Sequence, residues 1–127
     1  MIHPLTNDLY QVLCGWWQSY GWPIAPKNIL PKRGYVSFIG ENPMCAGFLY
    51  KDEDADFGVM DYIVCNPDSA PEERATAIDE IEKHIRGVAK SIGIVLLMTM
   101  SSTEKLTEKL EKTGYSKMTI TALIKKI

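Results

Sequence analysis

The sequence predicts an α/β fold of the α+β kind, a single sheet flanked by helices, and three observations carry that expectation. Three extended runs follow one another with only short turns between them, over Tyr35–Ile39, Cys45–Tyr50 and Phe57–Cys65. At Pro71 the apolar period then lengthens from alternate residues to about 3.6, as a helix demands. A fully apolar run, Ile94–Met100, separates that helix from a second helical segment. The expected order is α-β-β-β-α-β-α-β, in one domain over residues 1–127.

Each element has a local cause. Leu9, Val12, Leu13, Trp16 and Tyr20 recur at helical spacing, which predicts a helix over Asn7–Tyr20. Thr6 or Asn7 caps its start, and Gly21 with Pro23 ends it. The proline-rich stretch Trp22–Lys32 is expected to be irregular. Gly40-Glu41-Asn42-Pro43-Met44 joins the first two strands, and the acidic turn Asp52-Glu53-Asp54-Ala55-Asp56 leads into the third. Ile78, Ile81, Ile85, Val88 and Ile92 mark one face of a helix over Pro71–Ile92, with Ser69-Ala70-Pro71-Glu72 as an S-x-x-E cap. Asp79/Lys83 and Glu82/Arg86 read as i,i+4 pairs on its exposed face. Gly93 stops the helix, and Ile94–Met100 reads as a strand buried in mid-sheet. Ser101-Ser102-Thr103-Glu104 offers a second S-x-x-E start, for a helix over Thr103–Thr113 that carries Leu106 and Leu110 inward and closes at Gly114. A last strand is expected over Lys117–Ile124.

Composition bounds the function. An apolar share of 46% and a charged share of 24% suit a globular domain large enough to bury a core. A net charge of −2 gives no bulk attraction to nucleic acid or to an anionic membrane. Ile94–Met98, the longest apolar run, is too short to span a bilayer, and Met1–Leu9 lacks the pattern of a signal peptide. Cys14, Cys45 and Cys65 are widely spaced and only two histidines are present, so no zinc set is visible. The simplest reading is three reduced thiols in a cytoplasmic protein, with Cys45 and Cys65 as small core residues and a catalytic thiol as the alternative.

Asp52, Asp54, Asp56 and Gly58 resemble a calcium loop only superficially, because Phe57 and Ile63 stand where its glycine and bidentate glutamate belong. A solvated hairpin turn is the expectation there. Among Trp16, Trp17, Tyr20 and Trp22, the first and third share the apolar stripe and read as core, while Trp17 and Trp22 fall off it and either is a candidate to line a pocket.

Val64-Cys65-Asn66-Pro67, followed by Arg74-Ala75-Thr76-Ala77-Ile78-Asp79, resembles a motif of the GNAT N-acetyltransferase family. In that family a central strand ends in a V-x-P-like turn, and R/Q-x-x-G-x-G/A opens a long helix. Backbone N–H groups there hold the pyrophosphate of coenzyme A, aided by the helix dipole. Arg74 takes the R/Q position, Ala77 the first glycine and Asp79 the last, where a carboxylate opposes an anionic ligand. Residues 103 to 115 are similar to the family's N-x-x-A-x-x-L-Y-E-K-x-G-F block through Glu111, Lys112, Gly114 and Tyr115. Leu110 replaces the tyrosine that commonly protonates the leaving thiolate.

The resemblance implies a twisted, mainly antiparallel sheet in which Phe57–Cys65 and Ile94–Met100 form a parallel central pair that splays to admit acyl-CoA. It implies transfer of an acetyl group from acetyl-CoA to the amine of a small molecule or a protein. Cys65, Asn66, Arg74, Ala77, Asp79 and Ser101 would then bind the donor, and a cleft lined by Cys65, Asn66 and Ser101 is expected. Asp61 alternates with Ile63 and Cys65, shares their face and is the candidate base. Tyr62, Tyr115 and Ser102 are further proton carriers. The family's first strand has no room before Asn7. A GNAT-fold binding module without catalysis stays open, as does a homodimer.

Overall fold

The computed structural model describes residues 1–101 and 103–127, and Ser102 lies outside the described residues. Its strands are β1 (Ile2–Pro4), β2 (Gly34–Ile39), β3 (Asn42–Lys51), β4 (Phe57–Cys65) and β5 (Leu96–Thr99). Its helices are α1 (Asn7–Tyr20), α2 (Pro71–Ser91) and α3 (Glu104–Lys112). The sheet runs β1-β2-β3-β4-β5, antiparallel throughout except for the parallel pair β4 and β5. The expected fold class and parallel pair are therefore present, with α2 as the crossover between the two parallel strands.

Both faces of the sheet are covered, because β3 alternates. Cys45, Gly47 and Leu49 face α2, and Ala46 and Phe48 face α1. On the α2 side Leu49, Met60, Ile81 and Ile85 are fully buried, and Leu110 joins them from α3. On the α1 side Tyr10, Leu13, Trp16, Trp17, Val36, Phe48 and Val64 pack together. Each large apolar side chain buried in this way contributes about 1.5–3 kcal/mol.

Four elements differ from the sequence reading. A three-residue β1 does fit before α1, since it needs only Ile2–Pro4 to pair with Tyr35–Ser37. The buried stripe of α1 is Tyr10, Leu13, Trp16 and Trp17, whereas Val12 and Tyr20 are exposed. Tyr10 reaches inward because its hydroxyl finds the Ala25 carbonyl at 2.8 Å. Ile94–Met100 is not in mid-sheet: β5 is an edge strand, with Val95 83% and Leu96 63% exposed. The cause is at the C-terminus, where Lys117–Ile124 forms no strand and leaves the far side of β5 without a neighbour among the described residues.

The caps also move. Thr6 caps α1 as expected, accepting from the Leu9 N–H, and Gly21 ends it in the left-handed region at φ 71°. At α2 the N-cap is Ala70, and Glu73 in place of Glu72 accepts from its backbone N–H at 2.9 Å. Ser69 is spent on the Asn66 carbonyl. Thr103, not Ser101, caps α3 by accepting from Leu106 N–H.

The expectation of three free thiols is overturned. Cys45 and Cys65 stand directly opposite on β3 and β4 and are joined as a disulfide, leaving Cys14 free. Disulfides persist in oxidising surroundings, so the cysteines no longer point to a cytoplasmic setting. No helix among the described residues is long and apolar enough to cross a membrane. The acidic turn is a closed hairpin connection. Asp52 Oδ1 accepts from the N–H groups of Asp54 and Ala55, and Lys51 Nζ donates to the carbonyls of Asp52 and Ala55.

Candidate functional site

The parallel pairing of β4 and β5 runs from Phe57–Leu96 to Met60–Thr99 and stops. β4 continues for five more residues, Asp61–Cys65, with no strand on that side among the described residues. The gap opens a cavity of about 250 Å³ lined by Asp61, Tyr62, Ile63, Met100, Ser101 and Leu106.

The same point carries a β-bulge. Ala46 pairs with Val64 and Phe48 with Asp61, so Gly47 alone faces both Tyr62 and Ile63. Tyr62 takes φ 53°, the one non-glycine positive φ among the described residues, at a cost of order 1–3 kcal/mol. A bulge of this kind breaks the ladder and turns backbone N–H groups away from β3. Gly47, opposite the bulge, lets α2 pack close to β3: a Cβ there would lie 2.8 Å from Ile81 Cγ2 and 3.0 Å from Ile85 Cδ1.

Of the residues singled out in the sequence, Asp61 and Ser101 meet at this cavity, with Tyr62 beside them. Cys65 and Asn66 do not line it. The Cys65 carbonyl accepts from the Tyr20 hydroxyl at 2.9 Å, and its sulfur is bridged to Cys45. Asn66 donates its N–H to the Met44 carbonyl at 2.7 Å, and its side chain spans the turn between Pro43 and Asp68. The bulge also breaks the expected alternation. Ile63 and Cys65 pack towards α2, while Tyr62 packs towards α1 against Trp17 and Phe48. Asp61 belongs with the latter group, since it stands opposite Phe48 across β3 and β4, and its carboxylate and the Tyr62 phenolate both act on Tyr50. Burial first, then those two charges, push the Tyr50 hydroxyl up to about 12.

Arg74, Ala77 and Asp79 are elsewhere. Because α2 begins at Pro71, all three lie inside the helix, and the Arg74 N–H is already bonded to the Ala70 carbonyl at 3.0 Å. The Arg74 guanidinium folds back to the Ser69 carbonyl at 2.6 Å. Ala77 is buried under the sheet. Asp79 pairs with Lys109 of α3 at 2.9 Å, in place of the expected Lys83. The start of α2 therefore suits a pyrophosphate poorly. Pro71 has no N–H, the Ala70 N–H is held by Glu73, and Asp68, Glu72 and Glu73 surround the turn with negative charge.

The expected Glu82/Arg86 pair forms, but on an inner surface. Glu82 is 3% exposed, accepts bidentately from Arg86 and also accepts from the Tyr115 hydroxyl at 3.1 Å. Burial, and then the Glu82 carboxylate, raise the Tyr115 hydroxyl far above the ordinary phenol range. Tyr115 is thus engaged at α2 and is not among the cavity-lining residues. Leu110 is core. Of those further proton carriers, Tyr62 is the described one among the cavity-lining residues, and the candidate Ser102 lies outside the described residues. The sequence reading missed the bulge, Met100 and Leu106. Gly47, an isolated glycine within a strand, was the available signal for the first.

Solved structures share this architecture over nearly the whole chain. Ribosomal-protein-S18-alanine N-acetyltransferase from Escherichia coli is 14% identical, with 94% of this chain and 79% of that chain covered and a TM-score of 0.73. N-acetylglutamate synthase from Neisseria gonorrhoeae, solved with coenzyme A and N-acetyl-glutamate, is 16% identical with a TM-score of 0.64, covering 90% of this chain and 27% of that chain. A transcriptional regulator from Bacillus halodurans is 10% identical, covers 98% of both chains and has a TM-score of 0.75. No family model matches the sequence, and no curated protein sequence matches it. The class is nevertheless defined by the fold: a mixed sheet whose parallel pair parts beside a bulge. This chain has the GNAT N-acetyltransferase fold.

Proposed function

We propose that the chain is an acyl-CoA-dependent N-acyltransferase whose donor site is reduced to the thioester end. The observation that carries this reading is the parting of β4 and β5 after Met60 and Thr99, with a cavity and a bulge at the same place. A thioester inserted there meets backbone N–H groups of the bulge, which would polarise its carbonyl oxygen. Asp61 lines the cavity and accepts the proton of the incoming ammonium, freeing the amine to attack the carbonyl carbon. The C–S bond breaks as the C–N bond forms, and Tyr62 is the hydroxyl available to protonate the thiolate. The acceptor is the amine of a small molecule or a protein.

The crowded start of α2 favours a second reading, a binding module that has kept the fold and lost catalysis. Calorimetry with acetyl-CoA and with S-acetylpantetheine, which lacks the pyrophosphate, separates the two. The enzyme reading expects both to bind, with dissociation constants within about tenfold, because the pyrophosphate adds no charge-assisted hydrogen bonds. It also expects amine-dependent release of free thiol from acetyl-CoA. Silence from both donors at millimolar concentration would leave only the module.

A further inference from the structure

One row of side chains crosses the α2 face of the sheet: Ile2, Ser37, Cys45 and Cys65 are successive cross-strand partners on β1, β2, β3 and β4. Ile2, Cys45 and Cys65 pack in the core beneath α2, whereas Val36 points the other way, towards α1. Ser37 therefore projects beside Cys45. Its hydroxyl is wholly buried and has no hydrogen-bond partner among the described residues. A disulfide sulfur has no proton to donate and accepts weakly, so the oxidised pair leaves this hydroxyl unsatisfied. A Cys45 thiol would donate to it, and a Cys45 thiolate would accept from it.

The bridge also sits where β4 is held least. Beyond the bulge only Val64 and Cys65 pair with β3, and no strand lies on the other side among the described residues. Two polar contacts help: the Asn66 N–H donates to the Met44 carbonyl, and the Tyr20 hydroxyl donates to the Cys65 carbonyl. The disulfide is the covalent tie. Just before it in the chain, Asp61, Tyr62 and Ile63 form a wall of the cavity.

We infer that Cys45 and Cys65 are a reversible thiol–disulfide pair, poised for reduction by Ser37, whose closed form pins the bulged wall of the cavity. The reductant is a low-molecular-weight thiol of the glutathione kind. Its thiolate attacks Sγ of Cys65, the more exposed partner at 9% against 0%. The S–S bond breaks, Cys45 leaves as a thiolate, and the Ser37 hydroxyl donates to it. A second small thiolate attacks the mixed disulfide at the small molecule's sulfur and releases Cys65. The two protein thiolates take up the two protons, and two small thiols end as one small disulfide. A bridge kept for stability alone is better served by an apolar neighbour, which leaves no hydroxyl unpaired.

The test equilibrates the full, folded chain in glutathione redox buffers, alkylates its free thiols and weighs the product. Cys14 alone reacts in the oxidised chain, and all three cysteines react in the reduced one. The wild type should pass between these forms while circular dichroism shows it folded. Ser37→Ala should shift the equilibrium towards the disulfide by about tenfold, since one hydrogen bond of the reduced state is gone. Hydrogen exchange at 61–66 should quicken at least about tenfold in the phosphine-reduced chain and in Cys45→Ala with Cys65→Ala. Thiols that react only after denaturation overturn the inference. So does an equilibrium that Ser37→Ala leaves unmoved, or unchanged exchange at 61–66. The consequence for the donor rests on the acyltransferase reading: S-acetylpantetheine should bind the oxidised chain more tightly than the reduced. Equal binding to both forms overturns that coupling. No binding to either form sinks the acyltransferase reading instead, while thiol counts and exchange still decide the switch.

Discussion

The Asp79 carboxylate lies 2.9 Å from the Lys109 ammonium and ties the middle of α2 to α3. In the sequence Asp79 stands where the GNAT motif places a small residue facing pyrophosphate. In the fold it is a bridge between two helices, and its backbone N–H belongs to the helix. Asp79→Gly should therefore leave acetyl-CoA affinity unchanged in calorimetry. The side chains are 58% and 26% exposed, so the pair itself is worth at most about 1 kcal/mol. Glycine is a poorer helix former than aspartate by only about 0.3 kcal/mol, so urea denaturation should register a loss of no more than about 1.3 kcal/mol.

At the cavity, Asp61→Asn keeps the shape and removes the base. If Asp61 accepts the ammonium proton, kcat for acyl transfer should fall by about 10²–10⁴ while donor binding is retained. An unchanged kcat would return the role of base to water or to the acceptor itself.

Gly47 makes a packing prediction. A methyl group there would press on Ile81 and Ile85 at 2.8 and 3.0 Å, so α2 must lift from the sheet or the isoleucines must leave their rotamers. Gly47→Ala should cost about 1–3 kcal/mol in chemical denaturation. The bulge opposite Gly47 would be disturbed too, so loss of donor binding should accompany the loss of stability.

Glu82, Arg86 and Tyr115 form a charged network against the core. Tyr115→Phe removes one hydrogen bond to a carboxylate that is almost wholly buried. A loss of about 1.5–3 kcal/mol is expected, the range for hydrogen bonds to charged groups. Because Tyr115 also fixes the point where the C-terminal segment leaves α3, hydrogen exchange should rise at 111–116.

Alkaline pH tests Tyr50. Its folded-state pKa is raised from 10.0 to about 12, by burial and then by Tyr62 and Asp61. The folded chain thus holds this proton more tightly than the unfolded chain. The associated stability is whole below pH 10 and is lost as pH climbs through about 12. Thermal unfolding between those values should show a falling midpoint, and Tyr50→Phe should flatten part of the fall. Tyr115, raised for the same primary reason, supplies another part.

The sequence by itself determined the elements that depend on local period and punctuation. Helix α1 was legible from its apolar spacing and from Thr6 and Gly21, α2 from five spaced apolar residues, and the meander from alternation and turn residues. The parallel pairing of β4 and β5 was legible only through the resemblance to a family. Tertiary structure decided the rest, because it turns on what each element meets. Ile94–Met100 reads as a central strand by hydrophobicity, but burial requires a neighbour on both sides, and the C-terminal segment does not supply one within the chain. Arg74, Ala77 and Asp79 match a motif by spacing, yet the helix begins early enough to absorb their backbone groups. The face of Asp61 was misjudged, since one extra residue in β4 reverses every inward and outward assignment beyond it. Cys45 and Cys65 lie far apart in sequence and become cross-strand neighbours only when β3 and β4 pair. A periodic pattern is written in neighbouring residues, whereas register, edges and bulges arise from pairings between distant ones.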